Sequence, residues 1–240
     1  MIIEGRNAVR EAIQGGATID RIIVIKGYTD NTISMLVAKA KQNNLRVDYA
    51  EKNVLERFSV DGHHQGIIAF TSDFEYCEVE DIIMSAKEKN KPHFIVLLDG
   101  IEDPHNLGSI IRACECLGVD GIIIGRHRAA SVNETVVKTS AGATQYVKIA
   151  RVVNINDTIR ELKEAFIKVV AVDMDGEPIS KSNLDGDIAL IIGGEGEGIK
   201  RLTKDLADSV VSIPMSGKIS SMNASVAAGI ALYECRRQRG

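Results

Sequence analysis

Three short segments carry residue types that could do chemistry together. In His105–Ala113 (HNLGSIIRA), Asn106, Ser109 and Arg112 are spaced by three. On a helix they would fan an amide, a hydroxyl and a guanidinium across one face, while Leu107, Ile110, Ile111, Cys114 and Leu117 turn to the core. A plain helix start, with Asn106 as cap and Arg112 exposed, accounts for the same string. Ile192–Ile199 (IGGEGEGI) interleaves four glycines with Glu195 and Glu197. Glycine lets backbone come close to a ligand. No GK[ST] follows, and the order is not GxGxxG, so neither a Walker loop nor a dinucleotide fingerprint is present. Two carboxylates are unwelcome beside a pyrophosphate and suit a positively charged or hydroxyl-rich ligand, such as a sulfonium nucleoside; a flexible turn is the plain alternative. Ile213–Ala227 (IPMSGKISSMNASVA) joins a proline-marked strand end, a Gly-Lys turn, a Ser-Ser-Met-Asn run and a small-residue helix. Asn223 or Ser221 can cap that helix, and Ala224, Ala227, Ala228 and Gly229 allow close packing. Capping alone leaves most of the fifteen-residue string unexplained.

The elements that position these segments follow from the apolar pattern. Aliphatic runs recur at FIVLL (94–98), GIII (121–124), VVAV (169–172) and IALII (188–192), with helical stretches between them. Near-continuous runs of this kind are strands buried on both faces, which predicts a mostly parallel sheet covered by helices. Several end in glycine or acid, as at Asp99-Gly100, Gly125 and Gly193-Gly194. A ligand pocket is expected beyond these carboxyl ends. Upstream, Gly5–Gln14 reads as a helix stopped by Gly15-Gly16 and RIIVIK (21–26) as a strand. Ile33–Asn43 reads as a helix, Leu45–Tyr49 as a strand, Lys52–Phe58 as a short helix and Gly66–Thr71 as a strand. The fold class is therefore α/β, with a small N-terminal unit over 1–72, a connection over 73–91 containing a charged amphipathic helix, and a larger domain over 92–240.

Composition sets the outer limits. With 240 residues, 45% hydrophobic and 26% charged, the chain resembles an ordinary globular protein, and no apolar run is long enough to cross a membrane. The N-terminus shows no secretory signal, which predicts a cytoplasmic location. The four cysteines, Cys77, Cys114, Cys116 and Cys235, lack metal-ligand spacing, so reduced thiols and no metal are expected. Net charge is −4. Charge alone does not suggest a nucleic-acid partner. Basic clusters stand at Arg126/Arg128, Lys200/Arg201/Lys204 and Arg236/Arg237/Arg239, and are expected to converge across a dimer if RNA is bound.

The three segments, in this order, resemble the SpoU/TrmH family of RNA ribose 2′-O-methyltransferases. The N-terminal unit (GRNAVREAI, IDRIIV, HQGIIA) is similar to the ribosomal-protein-like substrate-binding domain of the branch that methylates a guanosine of 23S rRNA. One small departure is Met222, where leucine is common. The resemblance implies a SPOUT-type domain with a deep trefoil knot. It implies S-adenosylmethionine as cofactor, held near Gly193, Gly194, Gly196, Ile213 and Met222. It also implies a homodimer with the helix over 223–235 as an interface element, and RNA, 23S rRNA foremost, as partner, with neither DNA nor membrane. The catalytic group it implies is Arg112, with Asn106, Glu195 and Asn223 orienting it and Ser221 in the same shell. Arginine stays protonated in proteins, so Arg112 is expected to stabilise a developing alkoxide and hold a phosphate rather than take a proton. Three rivals are a Rossmann-type enzyme, disfavoured because the glycine loop comes late, a non-catalytic RNA-binding assembly protein, and a tRNA ribose methyltransferase.

Overall fold

The computed structural model describes residues 2–14, 19–28, 30–59, 62–71, 74–88, 90–219 and 221–240. The chain divides into two units, Met1–Glu75 and Tyr76–Gly240. The first contains β1 (Ile2–Glu4), α1 (Arg6–Gln14), β2 (Ile19–Ile25), α2 (Asn31–Gln42), β3 (Val47–Ala50), α3 (Lys52–Phe58) and β4 (Ile67–Thr71). Its sheet runs β1-β4-β2-β3. The pair β2/β3 is parallel, and β4 is antiparallel to both β1 and β2. Strand alternation sends Ile22, Val24, Ile67 and Ala69 towards Val9, Ile13, Ile33 and Leu36 of α1 and α2. Ile23 and Ile68 meet Leu55 of α3 on the other face. The helix stop expected at Gly15-Gly16 lies outside the described residues.

The second unit contains α4 (Val79–Glu88), β5 (Phe94–Asp99), α5 (Pro104–Cys116), β6 (Gly121–Gly125), α6 (Glu134–Thr139), β7 (Lys148–Val152) and α7 (Ile155–Glu164). It continues with β8 (Lys168–Pro178), β9 (Ile188–Gly193), α8 (Arg201–Leu206), β10 (Ser209–Ser212) and α9 (Ala224–Gln238). All six strands are parallel, in the order β10-β8-β9-β5-β6-β7. The helix over 79–88, which the sequence suggests is part of a connection, buries Val79 and Ile82 in this unit's core beside Ile95, Ile123, Leu162 and Ile191. An amphipathic helix needs such a surface, and the sheet supplies it. The opposite face of the sheet carries α5 and α9, which pack on each other. Close packing of α5 on α6 depends on Gly108, where an added Cβ would stand 2.7 Å from Cβ of Thr139 and 3.0 Å from the Val136 carbonyl.

Strand order decides where a ligand can sit. The chain begins in mid-sheet at β5, moves outward through β6 and β7, then crosses to β8 on the far side and returns inward to β9. The direction reverses between β5 and β9, which places a crevice at their carboxyl ends. In register there, Asp99 pairs with Gly193. After edge strand β10 comes α9, which packs on β9 and α5. All three sequence segments therefore meet at one end of one sheet.

Candidate active site

Asp103 caps α5: its carboxylate accepts from the backbone N–H groups of His105 at 3.2 Å and Asn106 at 3.3 Å, with Pro104 in the first turn. Asn106 is thus not the cap, and its carboxamide is free for other work. Nor does it share a solvent face with Arg112: Asn106 is 6% exposed, whereas Arg112 is open to solvent. Six residues of helix turn through about 600°, so the two side chains point some 120° apart.

The buried amide joins the other two segments. Asn106 Nδ2 donates to Glu195 Oε1 at 3.1 Å, and Asn106 Oδ1 accepts from Asn223 Nδ2 at 2.9 Å. Asn223 Nδ2 also donates to Glu195 Oε1, at 2.7 Å. Asn223 meanwhile caps α9, its Oδ1 accepting from the N–H groups of Ser225 and Val226 at 2.9 and 3.3 Å. One side chain therefore starts the last helix and completes a three-residue cluster. Ser221, the other candidate cap, makes no such bond and lines the adjoining cavity instead.

That cavity has a volume of about 500 Å³, within the range of small-molecule sites. Its walls are the glycine loop, Ile213 and Met215 beyond β10, and Ser221 to Ala224 at the start of α9. Gly193, Gly194, Gly196, Ile213 and Met222 all line it, as do Glu195, Ser221 and Asn223. Asn106 stands behind this wall, bonded to Glu195 and Asn223. Arg112 is not part of the lining and makes no ion pair or hydrogen bond among the described residues. It sits about 9 Å further along α5 than Asn106, at 1.5 Å per residue. Gly194 can only be glycine: an added Cβ would stand 2.0 Å from the Gly100 carbonyl oxygen.

Two features of the site escape the three segments. Asp99, 2% exposed, accepts from Lys200 Nζ at 2.7 Å and from the Lys200 backbone N–H at 3.1 Å, and its own carbonyl accepts from the Gly194 N–H at 2.9 Å. One residue at the end of β5 thereby fixes both ends of the glycine loop. Asp173 lines the cavity from β8, and Lys204 lies between it and Asp175, at 3.3 and 3.0 Å. The Asp175 hydrogen bond raises the Lys204 pKa, and the same bond lowers that of Asp175. In both cases the available signal was an acid where an aliphatic run ends.

Several of the basic side chains are already engaged within the chain. Lys200 and Lys204 are engaged by these carboxylates, and Arg201 reaches Asp205 at 3.8 Å. Arg237 pairs with Glu234, and Arg239 donates to the Pro92 and His93 carbonyls at the amino end of β5. Arg126 and Arg128, beyond β6, carry no ion pair among the described residues. No group of three potential metal ligands occurs among the described residues. No described helix is long and apolar enough to cross a membrane. All four cysteines are free thiols, and burial pushes the Cys114 thiol pKa up, and that of Cys235 to about 11.

Comparison with known proteins agrees with this geometry. Residues 93–233 match the SpoU rRNA Methylase family, and residues 2–77 match the RNA 2′-O ribose methyltransferase substrate binding domain. YacO of Bacillus subtilis (strain 168), which carries a provisional TrmH family tRNA/rRNA methyltransferase name, is 38% identical over 98% of this chain and 94% of its own. A Staphylococcus haemolyticus protein with the same provisional family name is 40% identical over 100% of this chain and 96% of its own. Among solved structures, an AdoMet-bound rRNA methyltransferase from Sinorhizobium meliloti is 25% identical with a TM-score of 0.60, covering 98% of this chain and 86% of its own. The SpoU methyltransferase AviRb from Streptomyces viridochromogenes, at 24% identity, shares the fold with a TM-score of 0.63 over 99% of this chain and 90% of its own. With both its units matched in order and its three segments meeting at one cavity, this chain belongs to the SpoU/TrmH family of RNA methyltransferases.

Proposed function

We propose that this protein methylates the ribose 2′-hydroxyl of a guanosine in 23S rRNA, with S-adenosylmethionine as donor, as a cytoplasmic homodimer. The observation that carries the reading is the cluster of Asn106, Glu195 and Asn223, which gathers one side chain from each segment at the cavity. The cavity fits the cofactor. Glycine backbone gives close approach, Ile213 and Met222 give apolar walls, and Asp173, Glu195 and Glu197 give the negative charge that a sulfonium and an ammonium call for. When bound, S-adenosylmethionine supplies a methyl group already activated by the positive sulfur.

The chain's own residues must then position the hydroxyl and stabilise its developing charge. Glu195 Oε1 takes both amide donors, which leaves Oε2 without a protein donor among the described residues and open to a ribose hydroxyl. Asn106 and Asn223 hold that carboxylate in place. Arg112, unpaired on the outer side of α5 and outside the lining of its own chain's cavity, serves across the proposed homodimer as the permanent cation for the adjacent phosphate and the growing alkoxide. The hydroxyl proton passes to phosphate or water.

Exposed Val226, Ile230 and Tyr233 recur at i, i+4 and i+7 on α9, an apolar stripe that supports the homodimer. Ile213 and Met215 beyond edge strand β10 and residues 221–224 line the same cavity as the glycine loop, a return of the chain that supports the trefoil knot. The family matched over residues 93–233 is named for rRNA methylation, which supports rRNA, while the relatives' names include both tRNA and rRNA.

The test is methyl transfer from labelled S-adenosylmethionine to 23S rRNA and to bulk tRNA, wild type beside Arg112→Ala. Label in rRNA ribose, reduced at least about a hundredfold in the variant, is the expected result. Label in tRNA alone overturns the substrate, and label in neither overturns the activity on free RNA.

A further inference from the structure

In the N-terminal unit, two loops meet at one guanidinium from the start of α1. Arg6 donates from Nε to the Gln65 carbonyl at 3.3 Å, from one terminal nitrogen to Asp30 Oδ2 at 3.0 Å, and from the other to the Tyr28 hydroxyl at 3.0 Å. Its guanidinium carbon also lies 5.8 Å from the centre of the Tyr28 ring. Behind the ring is Gly66, where an added Cβ would stand 3.3 Å from Tyr28 Cδ1. Asp30 in turn caps α2 through the N–H groups of Thr32 and Ile33. Tyr28 is thus fixed at its hydroxyl and along one edge, yet 44% of it is exposed. A core tyrosine would be covered, and an idle surface tyrosine would not be tethered on two sides. Lys26, two residues earlier, is exposed and its amine has no partner among the described residues.

A rigid, half-open aromatic ring with a free cation two residues away in the same turn fits an unpaired nucleotide. Bases within a duplex are already stacked on one another, whereas a splayed base can stack on a protein ring. Holding the ring in advance lowers the ordering cost of binding. Resting on the RNA-methylating role proposed above, we propose that Tyr28 stacks an unpaired base of the RNA substrate and that Lys26 meets its phosphate.

The test compares wild type, Tyr28→Phe, Tyr28→Leu and Tyr28→Ala in binding labelled 23S rRNA and bulk tRNA at fixed salt. Methyl-transfer kinetics and thermal melting are measured on the same proteins. Loss of one stacked base weakens RNA binding about tenfold. Leu and Ala variants should show that loss as a raised KM for RNA, with kcat, cofactor binding and melting near wild type. The Phe variant keeps the ring and loses the Arg6 hydrogen bond that pre-orders it, so it should bind at most a few-fold more weakly than wild type and clearly more tightly than the Leu and Ala variants. Leu binding as tightly as Phe would overturn the proposal, as would Phe falling with Ala, which would mean that the tether and not the ring matters. Wild type that binds neither RNA also overturns it. If wild type methylates RNA but all four proteins share one KM, the inference fails while the activity stands. If the ring variants lose binding but wild type transfers no methyl group, the activity fails while the surface stands.

Discussion

Asn223 combines two demands that a substitution can separate. Its Oδ1 caps α9 while its Nδ2 bridges Asn106 and Glu195. Aspartate caps a helix as well as asparagine does, so Asn223→Asp should keep the cap. It brings no donor, however, and sets a second carboxylate 2.7 Å from Glu195. We expect a melting temperature within a few degrees of wild type and methyl transfer down by about two orders of magnitude, the scale of losing one oriented donor. Asn223→Ala should lose activity and also about 1 kcal/mol of stability. Equal activity in the Asp variant and wild type would remove Asn223 from the positioning cluster. At this scale the sequence was informative about identity and weak about direction. It singled out Asn106, Glu195, Asn223 and the glycines that line the cavity. It could not say that Asp103 caps α5 in place of Asn106, because Asp103 and Asn106 are both good caps and only the helix start decides between them.

Elements were legible where burial is complete. The aliphatic runs at 94–98, 121–124 and 188–192 are β5, β6 and β9, the central strands. Of the edge strands, β3 was legible in the 45–49 run, but β7 (KIARV), which buries only Ile149 and Ala150, mixes charge with apolar residues, and β10 (SVVS) and β1 (IIE) are too short to show a period. Nor could periodicity reveal that β8 runs on to Pro178 and puts Asp173 at the cavity. The glycine loop shows how tightly an element can be specified. At Gly194 even a methyl group would overlap the Gly100 carbonyl, while Asp99 and Lys200 hold the loop's ends. Gly194→Ala must therefore displace the loop locally without disturbing the sheet beneath. We expect cofactor binding, measured by calorimetry, to weaken at least about tenfold, with melting lowered by the equivalent of about 1–3 kcal/mol of overpacking. Unchanged cofactor affinity would show that the loop does not hold the ligand.

At the scale of the whole second unit, the two ends of the sheet are used differently. The carboxyl ends carry the cavity and its cluster. The amino ends carry a tie. Asp187, just before β9, accepts from the His93 backbone N–H at 2.8 Å and from its ring Nδ1 at 2.5 Å, while His93 Nε2 reaches the Ile83 carbonyl at 3.0 Å. Arg239, at the end of α9, donates to the Pro92 and His93 carbonyls and lies 5.1 Å from the centre of the Phe94 ring. The tie thus joins α4, β5, β9 and the C-terminal helix from the side away from the chemistry. Burial pushes the Asp187 carboxyl pKa up, but the His93 backbone and ring bonds and the nearby charges outweigh it, so the net shift is downward. A carboxyl whose folded pKa lies below its unfolded value stabilises the fold above the unfolded pKa, about 3.9, and loses that contribution as pH falls through the folded value. Asp187→Asn should therefore melt lower than wild type at pH 7, and the gap should close as pH drops below about 4. Methyl transfer at neutral pH and moderate temperature should be unaffected, because no residue of this tie lines the cavity. A gap that stays constant down to pH 3 would mean that the tie acts through packing and not through charge. Loss of activity without loss of stability would mean that the two ends of the sheet are coupled.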